Sequence, residues 1–377
     1  MSEFTPEEIQ RYQRHLSLPQ FGPEAQRKLK AARVLVIGAG GLGCPVLQYL
    51  AAAGVGKLGV MDFDRVDASN LQRQILFTEA DVGRSKAEVA AQRLRAMNRH
   101  IEVVEISTRL TAQNALGIFS EYDVIVDGSD NFATRYLVND ACILTNRPLV
   151  YGAIYTFQGQ VSVFNFRGGP TYRCLFPEPP DPRDAPNCSE IGVVGVLPGL
   201  IGTLQATETI KILTGIGQPL SGTLLLVDVL SMKQQKVQFS RMPNAADITE
   251  LKEIEYHCEV ETAEVEREEI DCDEFRALLA DSSVLQILDV REPWERVMGR
   301  IESIHVPMRH LMAPDFEING SGLKPDQPLV IFCASGIRRL KAVRKFRDEL
   351  GFSSARSLRG GIQAWAQSGG EIQRGSL

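Results

Sequence analysis

The chain has 377 residues, 44% hydrophobic and 23% charged, with a formal net charge of −6 at pH 7. That length exceeds one ordinary hydrophobic core, so two domains are expected. The mildly acidic balance argues against nucleic acid or an anionic membrane as the principal partner.

The chain opens on Thr5-Pro6-Glu7-Glu8, which supplies an N-cap, a proline at the first helical position and a glutamate that closes a capping box. A short helix should follow, with Ile9, Tyr12 and Leu16 on one face. The apolar run Val34 to Ile37 then leads into Gly38-Ala-Gly-Gly-Leu-Gly43 and an apolar Gly/Ala-rich stretch, which reads as strand, tight turn and helix. Strand 33–37, helix 43–53, strand 57–62 and a helix from Lys86 alternate, followed by strands 101–105 and 123–127. This alternation predicts a mostly parallel sheet with helices on both faces.

Beyond residue 145 the pattern changes. Strands are predicted at 149–155 and 159–166, a proline-rich turn segment at 169–189, a helix at 199–214, and a hairpin of strands 222–229 and 234–239. The apolar region 191–213 is broken by Pro198, Glu208 and Lys211, so it reads as a buried loop and helix and not a membrane span. Residues 241–268 are acidic and poor in apolar side chains, which reads as a linker. A second α/β unit begins near 269, with helix 272–280, strands 284–289 and 328–332, a basic helix 337–350 and a last helix 361–367. The expected division is therefore 1–240, a linker 241–268, and 269–377.

Seven cysteines are scattered and odd in number, which is not a disulfide framework and suits a reducing cytoplasm. The start, Met1-Ser-Glu-Phe-Thr-Pro-Glu-Glu, is polar and unlike a signal peptide.

The glycine loop alone most often marks a dinucleotide site. The residues behind it point to other chemistry. Asp62 ends the second strand, where an acid accepts hydrogen bonds from ribose hydroxyls. Arg65, Asn70, Arg73 and Lys86 follow it, a set of groups suited to a triphosphate whose pyrophosphate must leave. Asp130 ends another strand, where it suits Mg²⁺. The other reading of these residues is solvated surface charge, with Asp130 a turn residue.

Gly38 to Gly43, Asp62-Phe-Asp64, Ser69-Asn-Leu-Gln-Arg73, Gly83-Arg-Ser-Lys86 and Asp127-Gly-Ser-Asp130-Asn131 together resemble the MoeB/ThiF family, bacterial relatives of ubiquitin-activating enzymes, over roughly residues 5–240. The resemblance implies a doubly wound, Rossmann-like, mostly parallel sheet with an antiparallel extension, in a homodimer. It implies ATP-dependent adenylation of the C-terminal glycine of a ubiquitin-like sulfur carrier of the MoaD or ThiS type. It further implies that Gly38, Gly40, Gly41 and Gly43 form the phosphate loop and that Asp62 binds ribose. Ser69, Asn70, Arg73, Lys86 and Asn131 would line the nucleotide site, and Asp130 would support Mg²⁺. Arg14 matches the residue that the family inserts into the partner subunit's ATP site.

Cys188 lies in the loop Asp184 to Gly192, where the family carries a cysteine able to attack an acyl-adenylate or a persulfide. The family's structural zinc uses two cysteine pairs. Here Cys174 stands without a partner in Thr171-Tyr-Arg-Cys174, and 241–247 contains no cysteine, so zinc is expected to be absent, with Cys258 a faint candidate to complete a degenerate site.

Cys333 follows the strand Pro328 to Phe332 and opens Cys333-Ala-Ser-Gly-Ile-Arg-Arg339 before a basic helix. Backbone N–H groups, a helix N-terminus and Arg338 favour a thiolate or persulfide there. With Leu288-Asp-Val-Arg-Glu292, His305-Val-Pro307, Leu358-Arg-Gly-Gly361 and Trp365, this segment resembles the rhodanese family over about 269–377. The two resemblances together imply a carrier adenylyltransferase and sulfurtransferase in one chain, fed by a sulfur donor such as a cysteine desulfurase. Two alternatives stay open: carrier activation for conjugation with the rhodanese domain serving a separate step, and a nucleotide-binding sulfide or redox sensor.

Overall fold

In a computed structural model, residues 4–179, 192–252, 268–281, 284–297, 299–313, 316, 318, 322–334 and 337–373 are described. The chain divides into two compact units, Met1–Tyr256 and His257–Leu377.

In the first unit, strands β1 (Arg33–Ile37), β2 (Lys57–Met61), β3 (Glu102–Ile106), β4 (Val124–Asp127), β5 (Leu149–Tyr155), β6 (Gln158–Phe164), β7 (Thr223–Asp228) and β8 (Lys233–Gln238) form one sheet in the order β3-β2-β1-β4-β5-β6-β7-β8. The first five are parallel and the last three add on antiparallel. The helices are α1 (Pro6–Leu16), α2 (Gly22–Ala31), α3 (Gly43–Ala53), α4 (Lys86–Met97), α5 (Ala112–Ser120), α6 (Phe132–Leu144) and α7 (Val196–Thr214). Strand β1 shows why the run is apolar throughout. Val34 and Val36 pack into one core with α3 and α4, while Leu35 and Ile37 pack into the other with Phe119 and Tyr136. A parallel strand covered on both faces has no side to leave polar.

The predicted capping box at Thr5 is present, with Glu8 N–H donating to the Thr5 hydroxyl and Thr5 N–H to the Glu8 carboxylate. The predicted apolar face of α1 differs from the one observed. Tyr12 is buried, but Ile9 is 49% exposed and Glu8 is buried in its place. Lys30 Nζ, 2.8 Å from Glu8 Oε2, supplies the countercharge that makes this burial tolerable.

The second unit holds β9 (Glu269–Ile270), β10 (Gln286–Asp289), β11 (Ile304–His305), β12 (Leu329–Phe332) and β13 (Ala355–Leu358), all parallel, in the order β11-β10-β12-β13-β9. Its helices are α8 (Cys272–Asp281), α9 (Pro293–Val297), α10 (Met308–Leu311), α11 (Ile337–Arg344) and α12 (Gly361–Gln367). The basic helix predicted to reach residue 350 ends at Arg344 and continues as a π-helical turn, Lys345–Glu349. Among the described residues, no helix is long and apolar enough to cross a membrane.

Candidate active site

The strand order of the first unit reverses between β1 and β4. The crevice outside the carboxyl ends of two such strands is where doubly wound sheets bind ligands. Gly38 follows β1 and Gly128 follows β4, and the two touch. A Cβ on Gly38, whose φ is +88°, would lie 2.9 Å from the Gly128 oxygen. Gly43, the first residue of α3, is tighter still, since a Cβ there would lie 1.8 Å from the Gly38 oxygen. Helix α3 starts with no side-chain cap, so its first-turn N–H groups face the loop unused by side chains.

Asp62 pins the loop from the end of β2. Its Oδ2 accepts from Ala39 N at 2.8 Å and its Oδ1 from Asp64 N at 2.8 Å. Burial raises its pKa above the ordinary carboxylate value, opposed by the nearby Lys86 charge. Lys86 opens α4 behind the N-cap Ser85, is nearly buried, and holds Asp64 Oδ2 at 3.1 Å. Arg73 donates to Ser69 O at 3.2 Å, and the Cγ of its side chain lies beside Gly41.

One pocket gathers Gly38, Gly40, Gly41, Asp62, Arg73, Lys86, Asp130 and Asn131. The side-chain oxygen of Asn131 also caps α6, accepting from Thr134 N at 2.9 Å. Ser69 and Asn70 do not line this pocket. They lie in a 3₁₀ turn, Ala68–Asn70, whose last carbonyl accepts from Arg73 N at 3.0 Å. Gly43 lies behind the loop and not in the cavity wall. Phe63, Gln74, Arg109, Ser129 and Arg135 also line the pocket, and the sequence reading did not single them out. Arg109 stacks over Phe63 at 5.3 Å, at the Asp62 end.

Arg14 stands apart from all of these. Its helix packs Tyr12 against Gly54, just past the end of α3, and Arg11 donates to Met97 O at the end of α4. Both helices start at the glycine-loop edge and run about 16 Å or more away from it. Exposed Arg14 therefore lies at the opposite edge of its own sheet.

Cys44 and Cys142 are core residues, and burial pushes the Cys44 thiol up to about 12 and the Cys142 thiol well above its usual value. Cys188 and Cys258 lie outside the described residues. Cys174 is buried, and its sulfur accepts from Thr171 N and Met242 N, both at 3.3 Å, while the Thr171 hydroxyl donates to Ala245 O at 3.0 Å. Among the described residues, no group of three or more His, Cys, Asp or Glu could hold a metal ion.

In the second unit Cys333 directly follows the central strand β12 and is only 1% exposed. Its carbonyl accepts from Ile362 N at 3.0 Å, and the Ala334 carbonyl accepts from Gln363 N at 3.3 Å, so the start of the cysteine loop rests on the first turn of α12. Gly361, at φ +61°, makes this possible, because a Cβ there would lie 2.3 Å from the Cys333 oxygen. Asp289 and Arg291 form a fully buried pair at 2.8 Å, with Arg291 also donating to Gly299 O. Gly336 lies outside the described residues; Arg338 falls in α11, with its side chain outside the described set.

The fold and this pocket define a doubly wound α/β enzyme with a glycine-lined crevice at its switch point, and a parallel α/β unit that carries a cysteine at the end of its central strand. The chain belongs to the ThiF family, whose model matches residues 12–248, and it carries a Rhodanese-like domain matched over 271–368. It is an enzyme of the adenylyltransferase and sulfurtransferase class. It is 44% identical, over 97% of its length and 95% of the relative's, to the probable adenylyltransferase/sulfurtransferase MoeZ of Mycobacterium tuberculosis. To the sulfur carrier protein adenylyltransferase of Thermus thermophilus it is 56% identical, over 64% of this chain and 90% of that one. Among solved structures it is similar to E. coli MccB with ATP, at TM-score 0.52 and 26% identity, over 58% of this chain and 67% of MccB.

Proposed function

We propose that the chain uses ATP to adenylate the C-terminal glycine of a ubiquitin-like sulfur carrier of the MoaD or ThiS type and then converts that end to a thiocarboxylate with sulfur carried on Cys333. The observation that carries this reading is the convergence of Gly38, Gly40, Gly41, Asp62, Arg73, Lys86 and Asp130 on one crevice. The names of the relatives support the same two activities.

The residues fit ATP. A glycine-rich loop meets an uncapped helix N-terminus, four cationic residues (Arg73, Lys86, Arg109 and Arg135) line the same cavity, and Asp62 retains lone pairs for ribose beyond its two backbone bonds. They also fit Mg²⁺ in the way that ion is usually held, by one carboxylate plus phosphate oxygens and waters, with Asp130 as the carboxylate. Bound there, Mg²⁺ would neutralise charge on the phosphates. Structural zinc needs four ligands, and among the described residues Cys174 is not joined by two or more further His, Cys, Asp or Glu side chains that could hold a metal ion with it.

In the first step a carrier carboxylate oxygen attacks the α-phosphorus, the bond to the β-phosphate oxygen breaks, and pyrophosphate leaves. Arg73 and Lys86 neutralise the charge that would keep two anions apart, and Arg14 of a second subunit adds a further cation in a homodimer. In the second step the terminal sulfur of a Cys333 persulfide, loaded by a donor such as a cysteine desulfurase, attacks the acyl carbon and AMP leaves. A thiolate then cleaves the resulting S–S bond, releasing the thiocarboxylate and leaving a disulfide on Cys333. Cys188 is suited to that role, and a cellular thiol reductant restores both cysteines. The linker between the two domains lets the persulfide reach the adenylate at a raised effective concentration. The scattered, odd-numbered cysteines of the sequence suit a reducing cytoplasm.

The test is to incubate the enzyme with a Gly-Gly carrier, ATP and a persulfide donor and to weigh the carrier. Cys333→Ala should abolish the thiocarboxylate while keeping carrier-dependent ATP–pyrophosphate exchange. An unchanged thiocarboxylate yield would remove the sulfur route and leave conjugation. Absence of exchange with every carrier would leave the sensor reading.

A further inference from the structure

Gln74 Oε1 and Ser129 Oγ are among the buried polar atoms of crevice-lining residues that have no hydrogen-bond partner among the described residues. They bracket the glycine loop. Gly38 packs against Gly128 and Ser129 on one side, and the Gln74 amide nitrogen lies 3.8 Å from where a Cβ on Gly40 would stand on the other. The two atoms differ in what they require. A hydroxyl rotates and either donates or accepts, so Ser129 is satisfied by a phosphate or carboxylate oxygen. An amide oxygen only accepts.

Gln74 is only 4% exposed, and its backbone is fixed on both sides, by Gln74 N to Asn70 O at 2.9 Å and Phe77 N to Gln74 O at 3.0 Å. With its backbone held there, the side chain stays almost wholly buried beside the turn that also carries Arg73. A buried acceptor without a donor destabilises the free protein, so a site that keeps one receives the donor with its ligand. Phosphate oxygens have no proton to give. The nucleoside's hydroxyl and amino donors belong to the Asp62, Phe63 and Arg109 end, whereas Gln74 stands at the Gly40–Arg73 end.

We propose that Gln74 Oε1 accepts the last backbone N–H of the incoming peptide C-terminus, so that the glutamine positions the terminal glycine of the acyl donor. The inference rests on the adenylation reading. Its chemistry is specific. The last N–H lies two bonds from the carboxyl carbon, and an acceptor that fixes it limits where the attacking oxygen can go. The proposal also narrows the substrate to a chain ending in a true peptide bond with an unsubstituted N–H. A terminal proline would be rejected.

The test uses a MoaD-type carrier made twice by ligation, once with its natural terminal glycine and once with glycolate there, which replaces the last N–H by an ester oxygen. Carrier-dependent ATP–pyrophosphate exchange and equilibrium nucleotide binding are measured with wild type, Gln74→Met and Gln74→Glu. The wild type should lose about ten-fold in kcat/KM on going to the ester carrier. Gln74→Met should show a similar loss with the natural carrier and little further loss with the ester. Its nucleotide affinity should stay within about two-fold of wild type, which also shows that it is folded. Gln74→Glu keeps an acceptor and should still prefer the amide carrier, at a reduced kcat. Losses that multiply in Gln74→Met, or a loss of nucleotide affinity in their place, would overturn the assignment. No exchange by wild type with the natural carrier would instead remove the adenylation reading beneath it.

Discussion

Gly361 is where a single methyl group should do most damage to the sulfur-carrying unit. In Gly361→Ala the new Cβ would stand 2.3 Å from the Cys333 oxygen and 2.8 Å from the Ala334 oxygen, at a backbone φ of +61°. The left-handed conformation alone costs an L-residue about 1–2 kcal/mol. Relieving the overlap means pulling α12 away from the cysteine loop, which gives up the bonds from Ile362 N and Gln363 N. Each of those is worth about 0.5–1.5 kcal/mol. Together the loss is about 2–5 kcal/mol, which in a domain of this size lowers the unfolding midpoint by roughly 10 °C or more.

Both tryptophans, Trp294 and Trp365, lie in the second unit, so tryptophan fluorescence of the intact chain reports that unit alone. Gly351→Ala is the control. Its φ is +80° and nothing lies within 4 Å of the added methyl, so it carries the conformational cost without the collision. The fluorescence midpoint should fall clearly further for Gly361→Ala, and persulfide loading of Cys333, followed by intact mass, should fall only in that variant. Equal midpoints and equal loading for the two variants would refute the claim that the Gly-Gly turn holds the cysteine loop.

Arg291→Leu should destabilise the same unit by up to about 3–5 kcal/mol, because it leaves the fully buried Asp289 charge with the more distant Arg296, at 3.5 Å, and adding Asp289→Leu should recover part of the loss. Asp127 is fully buried and its pKa is raised by burial, so the folded chain binds its proton more tightly than the unfolded chain does, and its contribution to stability falls as pH rises above about 3.8. Asp127→Asn should therefore gain on wild type in the first unit's calorimetric midpoint from that pH upward, and a constant difference across the acid range would contradict the sign. A chelator should leave that midpoint unchanged, whereas Thr171→Val, which removes the bond to Ala245 O, should lower it by costing about 0.5–1.5 kcal/mol of stability; one zinc per chain by atomic absorption would show the expectation of no zinc to be wrong. Mixing inactive Arg14→Ala and Asp130→Ala chains should restore about a quarter of wild-type exchange, since half of randomly formed dimers carry one intact composite site. No recovery would rule out supply of Arg14 in trans.

Much of the fold was legible because its strongest elements obey local rules. The run 33–37, the glycine loop and α3 were predicted within a residue, since an all-apolar strand and a turn too tight for a Cβ leave few alternatives. Cys44 and Cys142 fell in apolar stretches and are core residues. Helix α6 was read only as an apolar helical stretch around Cys142, without bounds, for a physical reason. It buries Arg135, Asn139 and Asp140 beside Tyr136, and Arg173 pairs with Asp140, so polar residues occupy positions where apolar periodicity is sought. Strands β9 and β11 span two residues each, too short to show any period.

The site divides along the same line. Residues whose chemistry is local to a motif, such as Asp62, Arg73 and Lys86, could be named from the chain. Gln74 could not, because an acceptor without a donor is a property of the packed turn and not of the letter Gln. Nor does the order of residues say that Gly38 and Gly128 touch. That follows from β4 joining the sheet beside β1, on the side away from β2 and β3. The reversal brings two loops from distant parts of the chain to one crevice, and the carboxylate of Asp130 and the cations of Arg73 and Lys86 then face one cavity. Substitutions that disturb the β1–β4 pairing should therefore weaken nucleotide binding even where no side chain of the pocket is changed.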